Sequence, residues 1–269
     1  MPSSLRHIVR FRGLLGVLTQ REIKARYRGS TLGFFWSLAN PLLLTAVYGL
    51  VFGVIFTGGV HGQGGTGPYV LFLVAGLFPW IWVSSSLLEG TVSLVASSGL
   101  IRKAVFPVEL PPLVVVLTHL VHFLLAVPIL LAAIGGGRYL GYDVGGWGLL
   151  CLPLLILIQL PMVAGLTLGL AALNVLFRDV RDLLANVLTL LFFLTPIIYP
   201  LEQVPWPSLR VLVRINPLTP YTLAYQQALV AGELPAAGLW LQMLLVSGLA
   251  WLAGSWLFGR LRETLVELA

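Results

Sequence analysis

His119 and His122 lie three residues apart, on one face of any helix holding both, a spacing that could present two imidazoles to a metal ion. No cysteine, aspartate or third histidine joins them at ligand spacing, so no metal site is expected. Glu89 and Glu109 fall within or at the edge of long apolar runs, where an ionised carboxylate is costly and often functional. They read either as structural groups that reach the headgroups or as functional groups held inside. The pairs Arg178-Asp179 and Arg181-Asp182 form a compact cluster, read as a salt-bridged helix end. A phosphate-binding P-loop needs a Gly-Lys pair, and the two lysines, Lys24 and Lys103, follow Ile23 and Arg102. The chain therefore lacks a nucleotide site of that type. Nor do its apolar runs carry the convergent Asp, His or Arg groups that a membrane glycosyltransferase or phosphatase would need, so no catalytic residue is assigned.

The elements that would position these groups follow from composition. Of the 269 residues 58% are hydrophobic and 10% charged, with a mean hydropathy of +0.96, whereas soluble domains carry about 25% charge. A helix rising about 1.5 Å per residue crosses about 30 Å of hydrocarbon with about 20 apolar residues. Runs of that length recur here and are continuously apolar rather than alternating, which predicts helices and not a barrel. The fold class is thus all-α integral membrane, with six spans near 32–57, 69–96, 108–135, 147–175, 183–200 and 238–259. Residues 1–31 precede this domain and 260–269 follow it. Cys151 is the single cysteine, which excludes an intramolecular disulfide. The long basic stretch before the first span is unlike a signal peptide, and the N-terminus is expected to be retained.

Lys and Arg counts orient the spans. Thirteen lie in the N-terminal segment, the second and fourth loops and the tail, against three (Arg138, Arg210 and Arg214) on the other side. The positive-inside rule then places both termini in the cytoplasm of a bacterial inner membrane protein. The net charge of +6 follows from this topology and from anionic lipid, and implies no nucleic acid.

Three segments depart from plain spans and loops. From Leu5 to Arg28, Ile8, Phe11, Leu14, Leu15 and Leu18 repeat at helical spacing while Arg6, Arg10, Gln20, Arg21 and Lys24 fall largely opposite. This amphipathic cytoplasmic helix is either an interfacial anchor or also a docking surface for a cytosolic partner. The loop from Ser97 to Pro107 carries Leu100, Ile101, Val105 and Phe106 around Arg102 and Lys103, so it either continues the bundle core or fits a short helix into a partner's groove. Pro196, Pro200, Pro205, Pro207, Pro217 and Pro220 interrupt an apolar stretch between the fifth and sixth spans. Over 200–237 a re-entrant external helical hairpin fits this pattern, the alternative being a plain external loop with a surface helix.

Several strings in order carry a resemblance. Arg26-Tyr27-Arg28-Gly29-Ser30-Thr31-Leu32-Gly33, Trp36 and Asn40-Pro41-Leu42 resemble the opening of the polysaccharide and polyol-phosphate export permeases of the ABC-2 type. Leu100 to Pro107, Phe177 to Asp182, Thr195 to Pro200 and Asn216 to Thr219 continue it over nearly the whole chain. The resemblance implies a homodimer of permeases with two copies of a separate nucleotide-binding ATPase, which would hold the ATP and Mg. No cofactor is expected in this chain. The same resemblance implies that the N-terminal helix, with Arg10 and Arg21, and the loop residues Leu100, Ile101, Arg102, Lys103, Val105 and Phe106 couple ATP-driven motion to the spans, and that the Pro-rich hairpin forms an external gate.

The expected function is export of a lipid-linked polysaccharide: O-antigen, capsule or wall teichoic acid. A small-molecule drug or lipid exporter, a channel or a membrane enzyme are the alternatives. Sugar CH faces pack on aromatic rings. Tyr48, Phe52 and Phe56 recur every four residues on the first span and, with Phe34, Trp36, Phe192, Phe193 and Tyr199, are candidates for the path. Ordinary packing or an interfacial aromatic belt explains the same residues. Arg26, Arg28, Arg102 and Lys103 could hold a lipid diphosphate headgroup, although positive-inside bias accounts for them equally.

Overall fold

The computed structural model describes residues 10–29, 35–48, 50–51, 66–99 and 107–268. Phe34, Phe52, Phe56, Leu100, Ile101, Arg102, Lys103, Val105 and Phe106 lie outside the described residues, as does the side chain of Tyr48. Among the described residues the chain is helical, with no strand. The elements are α1 (Arg12–Arg26), α2 (Trp36–Tyr48), α3 (Thr66–Ala96), α4 (Leu110–Tyr139), α5 (Leu152–Leu176), entered through a 3-10 turn at Trp147–Cys151, α6 (Val180–Leu194), α7 (Pro207–Ile215), α8 (Thr219–Gln226), prolonged by a π turn at Gln227–Ala231, and α9 (Ala237–Leu268).

Four stretches among the described residues are long and apolar enough to cross a membrane: Tyr69–Ala96, Leu110–Tyr139, Trp147–Leu176 and Ala237–Leu265. They match the second, third, fourth and sixth expected spans. α9 runs past Gly259 to Leu268, because no proline follows and the buried Phe258 and Leu265 keep its last turns packed. α6 differs more. Its 15 residues end at Leu194, ahead of the Thr195-Pro196 step, and at about 1.5 Å per residue they reach about 22 Å.

Cross-helix contacts define how the long helices run. Leu71 meets Gly137 and Trp82 meets Phe123, so α3 and α4 are antiparallel. Gln159 Nε2 donates to the carbonyl of Pro79 (3.4 Å) and Thr167 faces Gly90, so α3 and α5 are parallel. α5 and α9 are also parallel and approach through glycine: a Cβ on Gly254 would fall on the carbonyl oxygen of Gly165, and Gly169 sits over Gly254. Small residues four apart permit such backbone contact between apolar helices. Ser247 of α9 completes this seam by donating to the carbonyl of Ile158.

Prolines in the Pro-rich region begin helices as well as ending them. Pro207 opens α7 and Pro220 is the second residue of α8, positions where the missing N–H costs nothing. α8 is buried, with Tyr221 donating to the Met243 carbonyl (2.9 Å) beside Ser247 Oγ (2.6 Å). The break at Thr195-Pro196 is sealed by side chains: Asn216 Nδ2 donates to Thr195 Oγ1 (2.8 Å), Gln226 Nε2 to the Pro196 carbonyl (2.9 Å) and Tyr69 OH to the Ile198 carbonyl (2.9 Å). α7 keeps Val213 buried and leaves Val211, Leu212 and Ile215 exposed. Gly145 and Gly232, both at φ near +70°, let the loops before α5 and α9 interlock, with Gly145 N donating to the Val230 carbonyl at 3.1 Å.

α1 lies along α4. Leu15 is buried, Phe11 and Leu18 pack on the core, and Arg10 and Arg21 are exposed, as an amphipathic helix requires. Leu14 departs from the expected apolar face: it is 38% exposed, because the contact with α4 is a narrow stripe centred on Leu15 and Thr19.

Candidate functional site

A half-open cleft of about 410 Å³ lies where α1, α2, α3 and α4 converge. α3 supplies Phe78, Ile81, Trp82, Ser85 and Glu89, and α4 supplies His119, His122, Phe123 and Ala126. Both sets follow the three- and four-residue spacing of one helix face. Arg26 and Tyr27 enter at the end of α1, and Trp36 stands at the start of α2. Phe78, Trp82 and Phe123 are buried and make a floor; Trp82 stacks on Phe123 with ring centroids 5.5 Å apart, and its Nε1 donates to the Val116 carbonyl. Trp36, 44% exposed, forms an accessible wall.

Across this floor runs a chain of polar groups. Arg26 forks onto the Glu89 carboxylate, with Nη1 at 3.4 Å from Oε1 and Nη2 in closer contact with Oε2, while its Nε faces Glu22 at 3.5 Å. His119 Nε2 stands 3.0 Å from Glu89 Oε2. Tyr27 OH and His122 Nε2 are 2.9 Å apart, and the two imidazoles meet edge to face at 5.8 Å. One carboxylate thus ties three helices, and its side chain remains 46% exposed to the cleft. Such a network can exchange hydrogen bonds with a polar ligand, because carboxylate oxygens accept while imidazole and guanidinium donate. Among the described residues no group of three or more His, Cys, Asp or Glu could hold a metal.

The expected site residues separate in space. Arg26 and Trp36 share the cleft, whereas Arg28 is exposed beyond it. Phe192 packs on Trp80 at 5.7 Å, Phe193 is 58% exposed on α6, and Tyr199 OH donates to the Phe193 carbonyl; none of the three lines the cleft. Glu109 is buried at the start of α4 and faces Arg262 Nε of α9 at 3.5 Å, a structural pair. Arg181 lies 3.8 Å from Asp182, both exposed. Sequence reasoning did not connect Glu89 with Arg26 and His119, nor find Tyr27, Phe78, Trp82 and Phe123. The available signal was the helical spacing of aromatic and ionisable residues on α3 and α4.

Residues 13–230 match the family described as ABC-2 type transporter. The chain belongs to that family. The ABC-2 permease is 37% identical over 267 residues to the O-antigen export system permease protein RfbA of Myxococcus xanthus, covering 98% of both chains. Two proteins of the same name from Klebsiella pneumoniae are 29% and 31% identical, covering 95% and 82% of this chain and 94% and 82% of their own. ABC-2 permeases are membrane subunits of transporters rather than catalysts, and their ATPase is a separate subunit. Family and long apolar helices together make this permease a multi-pass protein of the inner membrane.

Proposed function

We propose that this permease exports a lipid-linked polysaccharide of the O-antigen class across the cytoplasmic membrane, driven by a separate ATPase. The observation that carries this reading is the end-to-end similarity to the Myxococcus xanthus O-antigen permease, 37% over 98% of each chain. Capsular polysaccharide and wall teichoic acid are the other lipid-linked polymers that this reading admits.

In this reading the chain makes six crossings with both ends in the cytoplasm. Support comes from parity. α5 and α9 run parallel, so if both span, the segment between them must return across the bilayer. α6 reaches only about 22 Å of a hydrocarbon core of about 30 Å. The bonded, broken stretch after Leu194 then lies at membrane depth, where irregular backbone is tolerated only when protein covers it. Buried α8 and exposed α7 form the re-entrant external element. Two permeases and two ATPase subunits, the latter holding ATP and Mg, complete the transporter. α1, with Arg10 and Arg21 exposed, and the Leu100–Phe106 loop are the coupling surfaces. Trp36, Tyr48, Phe52, Phe56, Phe192, Phe193 and Tyr199 are assigned to the path, and Arg28, Arg102 and Lys103 to the lipid diphosphate; Arg26, expected to join them, is engaged by Glu89 and serves the cleft instead.

Chromosomal deletion tests the function. The expected outcome is loss of surface polysaccharide with accumulation of lipid-linked polymer inside the cell, reversed by the wild-type gene. Surface polymer unchanged by deletion would sink the export reading.

A further inference from the structure

We infer that the cleft between α1, α2, α3 and α4 binds a neutral sugar ring, the one next to the lipid diphosphate of the exported glycan; the assignment of that ring rests on the export reading above. The chemistry of the walls selects the ligand. A second cleft, lined by Leu15, Leu113, Val116, Leu160, Pro161 and Trp251, contains no charged side chain and suits an acyl chain. The α1–α4 cleft has the opposite character. Glu89 and His119 lie within spans and Arg26 reaches them from α1, and ionisable groups inside a span are costly and often functional. A free anion is disfavoured, because the Glu89 carboxylate already engages the guanidinium of Arg26. A polyhydroxyl ring fits both features. Its hydroxyls can donate to Glu89 and accept from Arg26 or His119, while its CH face packs on the exposed ring of Trp36.

Size and position narrow it further. A volume of about 410 Å³ is at the lower end of the roughly 300–1,000 Å³ typical of small-molecule sites. It admits the end of a glycan and not a polymer. Arg28, two residues beyond Arg26 and exposed, remains available to a phosphate outside the cleft. The permease would therefore recognise the junction between lipid and glycan rather than the repeat unit.

The test uses full-length permease with its ATPase subunit in lipid nanodiscs. Three probes are titrated: polyprenyl diphosphate bearing one N-acetylhexosamine, bare polyprenyl diphosphate, and free N-acetylhexosamine. Wild type is expected to bind the glycosylated lipid about tenfold tighter than the bare lipid, the scale of one ring-stacking contact with its hydrogen bonds, and the free sugar weakest. Trp36→Leu and Glu89→Gln should each abolish that preference, read as the ratio of the two lipid affinities within each variant, and a monodisperse permease–ATPase complex certifies that the variants fold. Trp36→Phe, which keeps a ring, should restore most of it. Equal wild-type affinity for glycosylated and bare lipid, or a preference surviving in both variants, would overturn the sugar site. That result in a strain whose deletion abolishes surface polymer removes the cleft and spares the export reading; unchanged surface polymer removes the export reading instead.

Discussion

The α5–α9 seam and the α1–α3–α4 cleft both join helices across the bundle, with opposite materials. In the seam, Gly165, Gly169 and Gly254 remove side chains so that backbones touch. Its polar contacts, Tyr221 to Ser247 and Ser247 to the Ile158 carbonyl, are short and enclosed. In the cleft the helices are held apart by aromatic rings, and the contacts that cross it centre on the half-exposed Glu89, met by the less exposed Arg26 and the nearly buried His119. A seam without slack transmits motion as a rigid body, whereas ion pairs at a wet edge contribute little stability and exchange partners readily. α5 and α9 are thus joined backbone to backbone, whereas α1 meets α3 at Glu89 through side chains.

The largest expected effect breaks the seam. Gly254→Leu places a side chain on the Gly165 carbonyl, where the obstacle is backbone and cannot step aside. Overpacking of this kind costs about 3 kcal/mol or more, and the variant should lose its monodisperse peak after detergent extraction and its cooperative thermal transition. Gly248→Ala is the control. On the same helix a Cβ there meets nothing within 4 Å, so the melting temperature should hold. An intact Gly254→Leu protein would mean that the two helices are not in backbone contact.

A smaller effect probes the polar end of the same seam. Ser247→Ala removes the donor to the Ile158 carbonyl and leaves Tyr221 with the Met243 carbonyl alone. Loss of a buried hydrogen bond costs about 1 kcal/mol, visible as a modest drop in melting temperature. Tyr221→Phe should cost a similar amount, and the two losses should not add, because both delete one connected network. Full additivity would show that Tyr221 and Ser247 do not share a bond.

How much of this was legible beforehand depends on the range of the interactions. The places of α3, α4, α5 and α9 follow from apolar length, a local property matched to the bilayer, although the charged end of α9 past Gly259 does not. The Pro-rich region was harder, since a proline reads the same whether it ends a helix, as Pro196 does after α6, or opens one, as Pro207 and Pro220 do. Gly165 and Gly169 display small-residue spacing, but nothing local names Gly254 as their partner. The cleft was the least legible part. Glu89 and the His119/His122 pair each stand out along the chain, yet Arg26 lies 63 residues from Glu89 in sequence, and only the antiparallel packing of α3 on α4 with α1 alongside brings them together.

The smallest stability change belongs to the cleft, and it makes the comparison sharpest. Arg26→Ala and Glu89→Ala each remove one partner of a pair whose side chains are 24% and 46% exposed. Solvent screening at that exposure limits each loss to about 1 kcal/mol or less, no more than Ser247→Ala and well below Gly254→Leu. In a double-mutant cycle the coupling should therefore be a few tenths of a kcal/mol to about 1 kcal/mol and should shrink in high salt. Export, measured as surface polysaccharide, should fall far more than stability in both single variants, because Glu89 also orients His119 across the cleft. A coupling as large as the Gly254→Leu penalty would make the pair a structural staple. A small coupling with normal export would make it a surface ornament. Weak coupling with defective export fits a pair that serves the cleft rather than the stability of the bundle.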